Sequence, residues 1–181
     1  MLPRDEAWGL LEGAEMICSP EEIQRTLERL AQEITADLGE RYPLVLSVMG
    51  GAVVFSGQLL PLLHFPLDFD YLHATRYGDE LAGKELFWKA LPKQEVKGRA
   101  VLVLDDILDE GYTLAAIRDK LMEMGAASFH CAVFSEKELG RDKPIKADYV
   151  GVRLPNRYVF GFGMDAKGAW RNLPAVYAMK D

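Results

Sequence analysis

Three aspartates, a glycine and a threonine lie close together in the segment VLVLDDILDEGYTL, residues 101–114. Asp105, Asp106 and Asp109 follow a run of apolar residues that is typical of a buried strand. Carboxylates this close repel one another, and they are costly to bury unless a metal ion or a ligand with hydroxyl groups pairs with them. The types and spacing of these residues therefore indicate a binding site for such a ligand.

The residues that follow Asp109 suit an anion instead. Gly111 allows a ligand to approach the backbone closely, and Thr113 offers a hydroxyl group where a helix is predicted to begin. The amides and the dipole of a helix N-terminus attract negative charge. A sugar phosphate would suit both the acidic residues and the anion-binding turn. Its phosphate would lie at the turn, and its vicinal hydroxyls would bind Asp105 and Asp106.

The residues alone leave two other interpretations of this segment open. The acids could belong to a solvated loop or cap the helix that follows. They could also hold Mg²⁺ in a receiver-type domain, in which a strand-end aspartate accepts a phosphoryl group. That arrangement gives no role to Gly111 and Thr113, and two adjacent acids directly after the apolar run AVLVL favour the ligand site.

Strand and helix patterns alternate around this segment and predict an α/β fold. Apolar residues at helical spacing predict a helix over about residues 20–38, which Ser19 caps and Gly39 ends in a left-handed conformation. Residues 76–98 are polar and glycine-punctuated, which indicates a functional excursion. Strands are predicted at LVLSVM, LDFDYLHA, AVLVL, SFHCAVF, ADYVGV and RYVFGFG. This alternation is typical of a parallel twisted sheet flanked by helices, where ligands bind at the carboxyl ends of the strands.

Composition limits the class of protein. The length of 181 residues and the apolar fraction of 49% predict a single domain, residues 1–181. The 21 Lys and Arg against 28 Asp and Glu give a net charge of −7, so we expect no nucleic-acid partner without a local basic patch. Cys18 and Cys131 are too few for a disulfide framework. No apolar run could span a bilayer and no signal-like stretch is present, so we expect no membrane partner and a cytoplasmic location.

Residues 101–114 resemble the phosphoribosyl pyrophosphate signature of the type I phosphoribosyltransferases, and five blocks over about residues 44–173 are similar, in the same order, to the hypoxanthine-guanine branch. The resemblance implies the fold of that family, a parallel twisted sheet with a small hood from about residues 1–20 and 150–181. It also implies a mobile loop at about residues 76–95, and a homodimer or homotetramer.

The same resemblance implies which residues bind the sugar donor. Asp105 and Asp106 would bind the ribose hydroxyls. The residues that would hold the 5′-phosphate are Glu110, Gly111, Tyr112 and Thr113. The residues that would hold the pyrophosphate are Gly50, Gly51 and Arg171. Mg²⁺ would be bound by Asp165, with Asp105 and Asp106 as further ligands.

The resemblance also implies a purine site. Asp109 would act as general base or acid at N7, and Lys137 would donate to the 6-oxo group, which disfavours adenine. Tyr158 would stack on the base, and Val159 would offer backbone groups to its edge. Taken one at a time these are ordinary surface or core residues, and only their spacing from the signature gives them these roles.

The implied reaction is purine salvage, in which the phosphoribosyl group moves to N9 of hypoxanthine or guanine and gives IMP or GMP and pyrophosphate. Two alternatives are a xanthine-preferring phosphoribosyltransferase and a non-catalytic regulator that senses phosphoribosyl pyrophosphate. Two positions depart from the family. Met49 stands where a lysine is common, and Glu110 stands where a small hydroxyl residue is usual. A carboxylate beside a phosphate is unfavourable unless it points outward.

Overall fold

The computed structural model describes residues 2–76 and 86–180, which form four α-helices and nine strands. In chain order the elements are α1 Arg4–Glu12, β1 Ala14–Cys18, α2 Pro20–Leu38, β2 Leu44–Val48, α3 Val53–Leu59, a 3₁₀ turn Leu60–Leu62, β3 Asp68–Arg76, β4 Leu86–Ala90, β5 Ala100–Leu108, α4 Tyr112–Glu123, β6 Ser128–Lys137, β7 Tyr149–Leu154, β8 Val159–Phe160 and β9 Val176–Met179.

Six strands form a mostly parallel sheet in the order β4-β3-β2-β5-β6-β7. The pairs from β3 through β7 run parallel, and β4 runs antiparallel to β3 at the edge. All five residues of β2 are buried, as expected for a strand covered on both faces. The sheet therefore confirms the predicted α/β class, with β2 and β5 side by side at its centre.

Two apolar cores lie on opposite faces of this sheet. Leu102 and Leu104 of β5 pack with α2 and α3, whereas Val101 and Val103 pack with α4. The alternation follows from the two-residue period of a strand, which sends successive side chains to opposite faces. With helices on both faces, only the ends of the strands remain open to a ligand.

The long helix α2 has the bounds predicted from its sequence. Ser19 accepts a hydrogen bond from the Glu22 amide while the Glu22 carboxylate accepts one from the Ser19 amide, which is a complete capping box. Its buried side chains are Ile23, Leu27, Leu30, Ala31, Ile34 and Leu38. The predicted left-handed exit is wrong, because Gly39 keeps a right-handed φ of −57° and extends the helical turn.

A second sheet of three short antiparallel strands, in the order β1-β9-β8, joins the two ends of the chain. The predicted boundary of the hood near residue 150 lies inside β7, a strand of the large sheet. The C-terminal strands of the small sheet are therefore taken from residues after Leu154. Within residues 2–76 and 86–180, no helix has the length and apolar content that crossing a bilayer requires.

The predicted excursion and mobile loop contain a strand. Residues 86–90 form β4, in which Trp88 pairs with Ala74 of β3 and packs against the core beneath α4. Residues 86–90 of the predicted mobile loop are therefore part of the sheet. The rest of the predicted mobile loop that follows Arg76, residues 77–85, lies outside the described residues.

Candidate functional site

An open cavity of about 510 Å³ lies where β2 and β5 end and α4 begins. Four segments line it: the turn after β2, residues 73–75 near the end of β3, the acidic stretch from β5 into α4, and a turn near the C-terminus. The predicted site residues in this lining are Gly50, Gly51, Asp105, Asp106, Asp109, Glu110, Gly111, Tyr112, Thr113, Asp165 and Arg171. The volume suits one small-molecule ligand.

Asp105 and Asp106 lie inside β5, which continues to Leu108, rather than after the strand as the apolar run predicted. The Asp106 amide donates to Asp105 Oδ1 at 3.0 Å, and the Ile107 amide donates to Asp106 Oδ1 at 2.8 Å. These bonds fold each carboxylate back on the backbone of the next residue. The strand thereby holds two half-buried carboxylates in fixed positions at the cavity wall.

The electrostatics of this pair are unfavourable for two negative charges. Burial raises the pKa of Asp105 well above its ordinary value, and the neighbouring Asp106 raises it further. Burial also raises the pKa of Asp106, although the positive charge of Arg171 opposes that shift. Carboxyl groups in this state gain from partners that donate hydrogen bonds or carry positive charge. Sugar hydroxyls and a divalent cation are partners of that kind.

Two glycines allow the backbone to approach this pair. A Cβ on Gly51 would lie 2.0 Å from Asp106 Oδ2, so no larger residue fits there without moving the carboxylate. Gly163 has a φ of +101°, and a Cβ on it would lie 2.1 Å from the carbonyl oxygen of Gly51. Gly51 was predicted as a site residue from its sequence context, whereas Gly163, which lies 112 residues away, was not. The turn after β2, whose Met49–Gly50 peptide is cis, thus packs against both β5 and the C-terminal turn.

Asp109 and Lys137 are in direct contact. Lys137 Nζ donates to Asp109 Oδ2 at 2.9 Å from the end of β6, with its side chain mostly buried. Beneath them Lys143 donates to the carbonyl oxygens of Leu108 at 3.0 Å and Lys137 at 2.6 Å. Lys143 therefore ties the ends of β5 and β6 together. Nothing in its sequence context singled it out.

The turn into α4 has the geometry of an anion site. Gly111, the N-cap residue, has a left-handed φ of +86° and no side chain to cap the helix. The first amides of a helix have no partner within it, so this end favours an acceptor supplied from outside. Glu110, at the same turn, is bonded to Arg141 from the loop after β6. The carboxylate therefore has a counter-charge in the protein itself.

The C-terminal turn brings Arg171 and Asp165 to the cavity as an ion pair. Arg171 also donates to the carbonyl oxygen of Gly163 at 2.6 Å, and Asp165 accepts from the Gly168 amide at 2.7 Å. Tyr158 donates its hydroxyl to the Asp165 carbonyl at 3.3 Å. The turn is thus held from within before any ligand is bound.

Three of the predicted purine-site residues lie beside the cavity rather than in its lining. Lys137 reaches the lining only through Asp109, and Tyr158 only through Asp165. Val159 is buried and pairs with Ala178 between β8 and β9. The predicted donor-binding residues are therefore gathered around one cavity, which Asp109 of the predicted purine site also lines, and Lys137 and Tyr158 are bonded to residues of that lining.

Metal-ligating side chains are sparse in this space. In the part of the chain that the structure describes, no group of three or more His, Cys, Asp or Glu side chains could hold a metal ion. The carboxylates of Asp105 and Asp106 are hard oxygen ligands of the kind that Mg²⁺ takes. Because Mg²⁺ commonly shares its coordination between one or two carboxylates and substrate phosphates, this donor set fits such an ion together with a bound phosphate ligand.

Comparisons with known proteins agree with this geometry. The family described as "Phosphoribosyl transferase domain" matches residues 14–167. The chain is 32% identical over 167 residues to the hypoxanthine-guanine phosphoribosyltransferase of Bacillus subtilis, covering 91% of this chain and 92% of that protein. It is 35% identical over 167 residues to the bifunctional protein TilS/HprT of Listeria innocua, covering 91% of this chain but only 26% of that longer relative.

A solved structure extends the agreement to three dimensions. A hypoxanthine-guanine-xanthine phosphoribosyltransferase superposes with a TM-score of 0.85 at 29% sequence identity, over 94% of this chain and 99% of that one. The structural match therefore extends over nearly the whole fold, and the family match spans the acidic segment. On these grounds the chain belongs to the phosphoribosyltransferase family, in its hypoxanthine-guanine branch.

Proposed function

We propose that this protein is a purine salvage enzyme that transfers the phosphoribosyl group of phosphoribosyl pyrophosphate to N9 of hypoxanthine or guanine, giving IMP or GMP and pyrophosphate. The main support is the half-buried pair Asp105 and Asp106, with raised pKa values, beside the open N-terminus of α4. The pair suits the hydroxyls of the ribose, and the helix end suits its 5′-phosphate. The names of the relatives support the same activity.

The donor would lie along the cavity, with a different group of residues binding each of its phosphate groups. Glu110, Gly111, Tyr112 and Thr113 would surround the 5′-phosphate, mainly with backbone amides. The pyrophosphate would lie against Gly50, Gly51 and Arg171. Since Met49 carries no charge, Arg171 is the cation that this proposal assigns to the leaving group. Arg171 forms an ion pair with Asp165, so its guanidinium would have to interact with both Asp165 and the pyrophosphate.

The purine would be recognised by the pair Asp109 and Lys137, with Tyr158 stacked on its face and Val159 at its edge. N7 and the 6-oxo oxygen lie next to each other on one edge of a 6-oxopurine. A carboxylate and an ammonium group 2.9 Å apart could therefore contact both at once. Asp109 would hold the proton at N7, and Lys137 would donate to the oxygen.

The bond to N9 forms as the bond from C1′ to pyrophosphate breaks. The sugar then carries positive charge, as in glycoside chemistry, so the work of the protein is positional and electrostatic. Asp105, Asp106 and Asp109 surround the charged sugar with carboxyl groups, and Arg171 opposes the charge that develops on the leaving group. Exclusion of water would prevent hydrolysis of the donor.

We propose Mg²⁺ as the cofactor, held by Asp105, Asp106 and Asp165 together with oxygens of the donor. When bound, the ion would neutralise charge on the pyrophosphate leaving group. Support comes from the hard oxygen character of these carboxylates and from the raised pKa of Asp105, which a nearby cation would lower again.

Assembly and location stay predictions. Exposed apolar side chains on β3 and β4, namely Phe69, Tyr71 and Phe87, support a homodimer or homotetramer, which light scattering coupled to size exclusion would measure. The two buried free thiols, Cys18 and Cys131, are consistent with a cytoplasmic location.

The proposal is tested by incubating the protein with phosphoribosyl pyrophosphate, Mg²⁺ and one base at a time. We expect IMP from hypoxanthine and GMP from guanine, and no AMP from adenine, because its 6-amino group is itself a donor and cannot accept from Lys137. A strong preference for xanthine would favour the first alternative. Binding of the donor without nucleotide formation from any base would favour the regulator and contradict the proposal.

A further inference from the structure

Glu110 has a partner that the sequence did not indicate. Glu110 lines the cavity at the turn into α4, and its carboxylate accepts a hydrogen bond from the guanidinium of Arg141. The Glu110 side chain is 24% exposed and that of Arg141 is 61% exposed. Arg141 belongs to residues 138–148, the β6–β7 loop, which contributes no residue to the cavity lining.

The β6–β7 loop is anchored against the turn. Lys143, only 8% exposed, donates to the carbonyl oxygens of Leu108 and Lys137 at the ends of β5 and β6. A Cβ built on Gly111 would lie 3.3 Å from the Ile145 side chain and 3.4 Å from Cβ of Lys143. The loop therefore packs directly on the turn and fixes where the backbone presents Arg141.

An unpaired Glu110 would compete with a bound phosphate in two ways. Its negative charge would repel the phosphate across a short distance. A carboxylate beside the N-terminus of a helix is also attracted to the backbone amides of the first turn, which are the groups that a phosphate would use. The ion pair with Arg141 counters both effects, because it neutralises the charge and draws the carboxylate toward the β6–β7 loop.

We propose that Arg141 is a positioning residue for donor binding, which acts through Glu110 and keeps the α4 N-terminus open to the 5′-phosphate. This inference rests on the proposed function. Arg141 itself need not touch the donor. Its importance depends on the presence of Glu110, and so the two residues are expected to be coupled in mutants.

The test is a double-mutant cycle with Arg141→Ala and Glu110→Gln, measured by steady-state kinetics with phosphoribosyl pyrophosphate and hypoxanthine. We expect Arg141→Ala to raise the KM for the donor about tenfold, with kcat and the KM for hypoxanthine within about twofold of wild type. Adding Glu110→Gln should restore the donor KM to within about twofold of wild type, since no carboxylate remains to compete. Arg141→Lys should keep most of the affinity.

Two further measurements separate this role from a general effect. The matched control is Arg118→Ala, which removes a half-buried arginine paired with Asp119 on α4, away from the cavity, and should leave the donor KM unchanged. Raising the KCl concentration should shrink the ratio of donor KM between Arg141→Ala and wild type, because salt screens a repulsion between partly exposed charges.

The outcomes distinguish the inference from the proposed function. Wild type that takes up no donor with Mg²⁺ in calorimetry would refute the proposed function. If wild type binds the donor and the double variant is as impaired as Arg141→Ala alone, Arg141 does not act through Glu110 and the inference is overturned. An unchanged donor KM in Arg141→Ala would overturn it as well.

Discussion

At the scale of single residues, ionisation of the acidic pair in β5 is unfavourable in the free protein, and a bound ligand can reduce that free-energy cost. Asp105 and Asp106 are adjacent in a strand and half-buried, and each carboxylate accepts a hydrogen bond from the backbone amide of the following residue. The pKa of each carboxyl group is raised, so ionising them in the folded protein is harder than in the unfolded chain. The residues that suit the ligand best are therefore unfavourable for the stability of the free protein.

This cost predicts how stability depends on pH. With a folded pKa above the unfolded value of about 4, the folded state holds extra protons between the two values, and its stability falls as the pH rises through that window. Asp105→Asn removes this loss while keeping the acceptor for the Asp106 amide. We expect the variant to be about 1–3 kcal/mol more stable than wild type at pH 8, with a smaller difference at pH 4.

Urea unfolding from pH 4 to pH 8 measures this difference. Asp119→Asn is the control, because Asp119 is exposed on α4 and its removal should change stability little at any pH. Donor binding by Asp105→Asn should be lost or much weakened. A variant less stable than wild type at pH 8 would contradict the assigned cost of ionisation.

At the scale of elements, the site depends on close approach between three segments. The turn after β2 touches Asp106 of β5 at Gly51, and the C-terminal turn touches Gly51 at Gly163. Arg171 then bonds to the Gly163 carbonyl, so the contacts continue from β2 to the C-terminal turn. The first two of these contacts require a residue without a side chain, because the distances leave no space for a Cβ.

Gly51→Ala tests this arrangement. A Cβ there would lie 2.0 Å from Asp106 Oδ2, so either the carboxylate or the turn must move. We expect about 1–3 kcal/mol of destabilisation, together with a loss of donor affinity of at least tenfold measured by calorimetry. Gly57→Ala in α3 is the matched control, since nothing lies within 4 Å of its Cβ and alanine favours a helix. Full donor affinity in Gly51→Ala would show that the contact is not needed for binding.

At the scale of the whole molecule, the sequence predicts best where burial dictates the pattern. The buried strands β2, β5 and β6 and the capped helix α2 carry continuous or periodic apolar residues, and all four were predicted. The helix α1 buries no residue and β9 has only four, so neither leaves a readable period, and both were missed. The predicted end of β5 was too early, because aspartate is depleted in strands and Asp105 and Asp106 therefore favoured a loop.

In the candidate site, residues that are close in the sequence were predicted and contacts between distant residues were not. Residues next to one another in the sequence, such as Asp105 to Thr113, were assigned together and line one cavity. Contacts across the fold were not foreseen. Arg141 lies 31 residues from Glu110, and Gly163 lies 112 residues from Gly51, and no local pattern links either pair. Such contacts depend on how the sheet brings loops together, which a single sequence does not encode locally.

The two sheets share one site, which predicts that the donor stabilises the whole molecule. The large sheet supplies Asp105 and Asp106, and the turn between the strands of the small sheet supplies Arg171. At a hundred times its Kd, a donor with Mg²⁺ should add about 2.7 kcal/mol, which is a rise in Tm of roughly 5–10 °C for a chain of this size. Differential scanning calorimetry measures the rise. At the same donor concentration Arg171→Ala should show a smaller rise, and Arg118→Ala the full one. Equal rises in Arg171→Ala and wild type would remove Arg171 from the donor site.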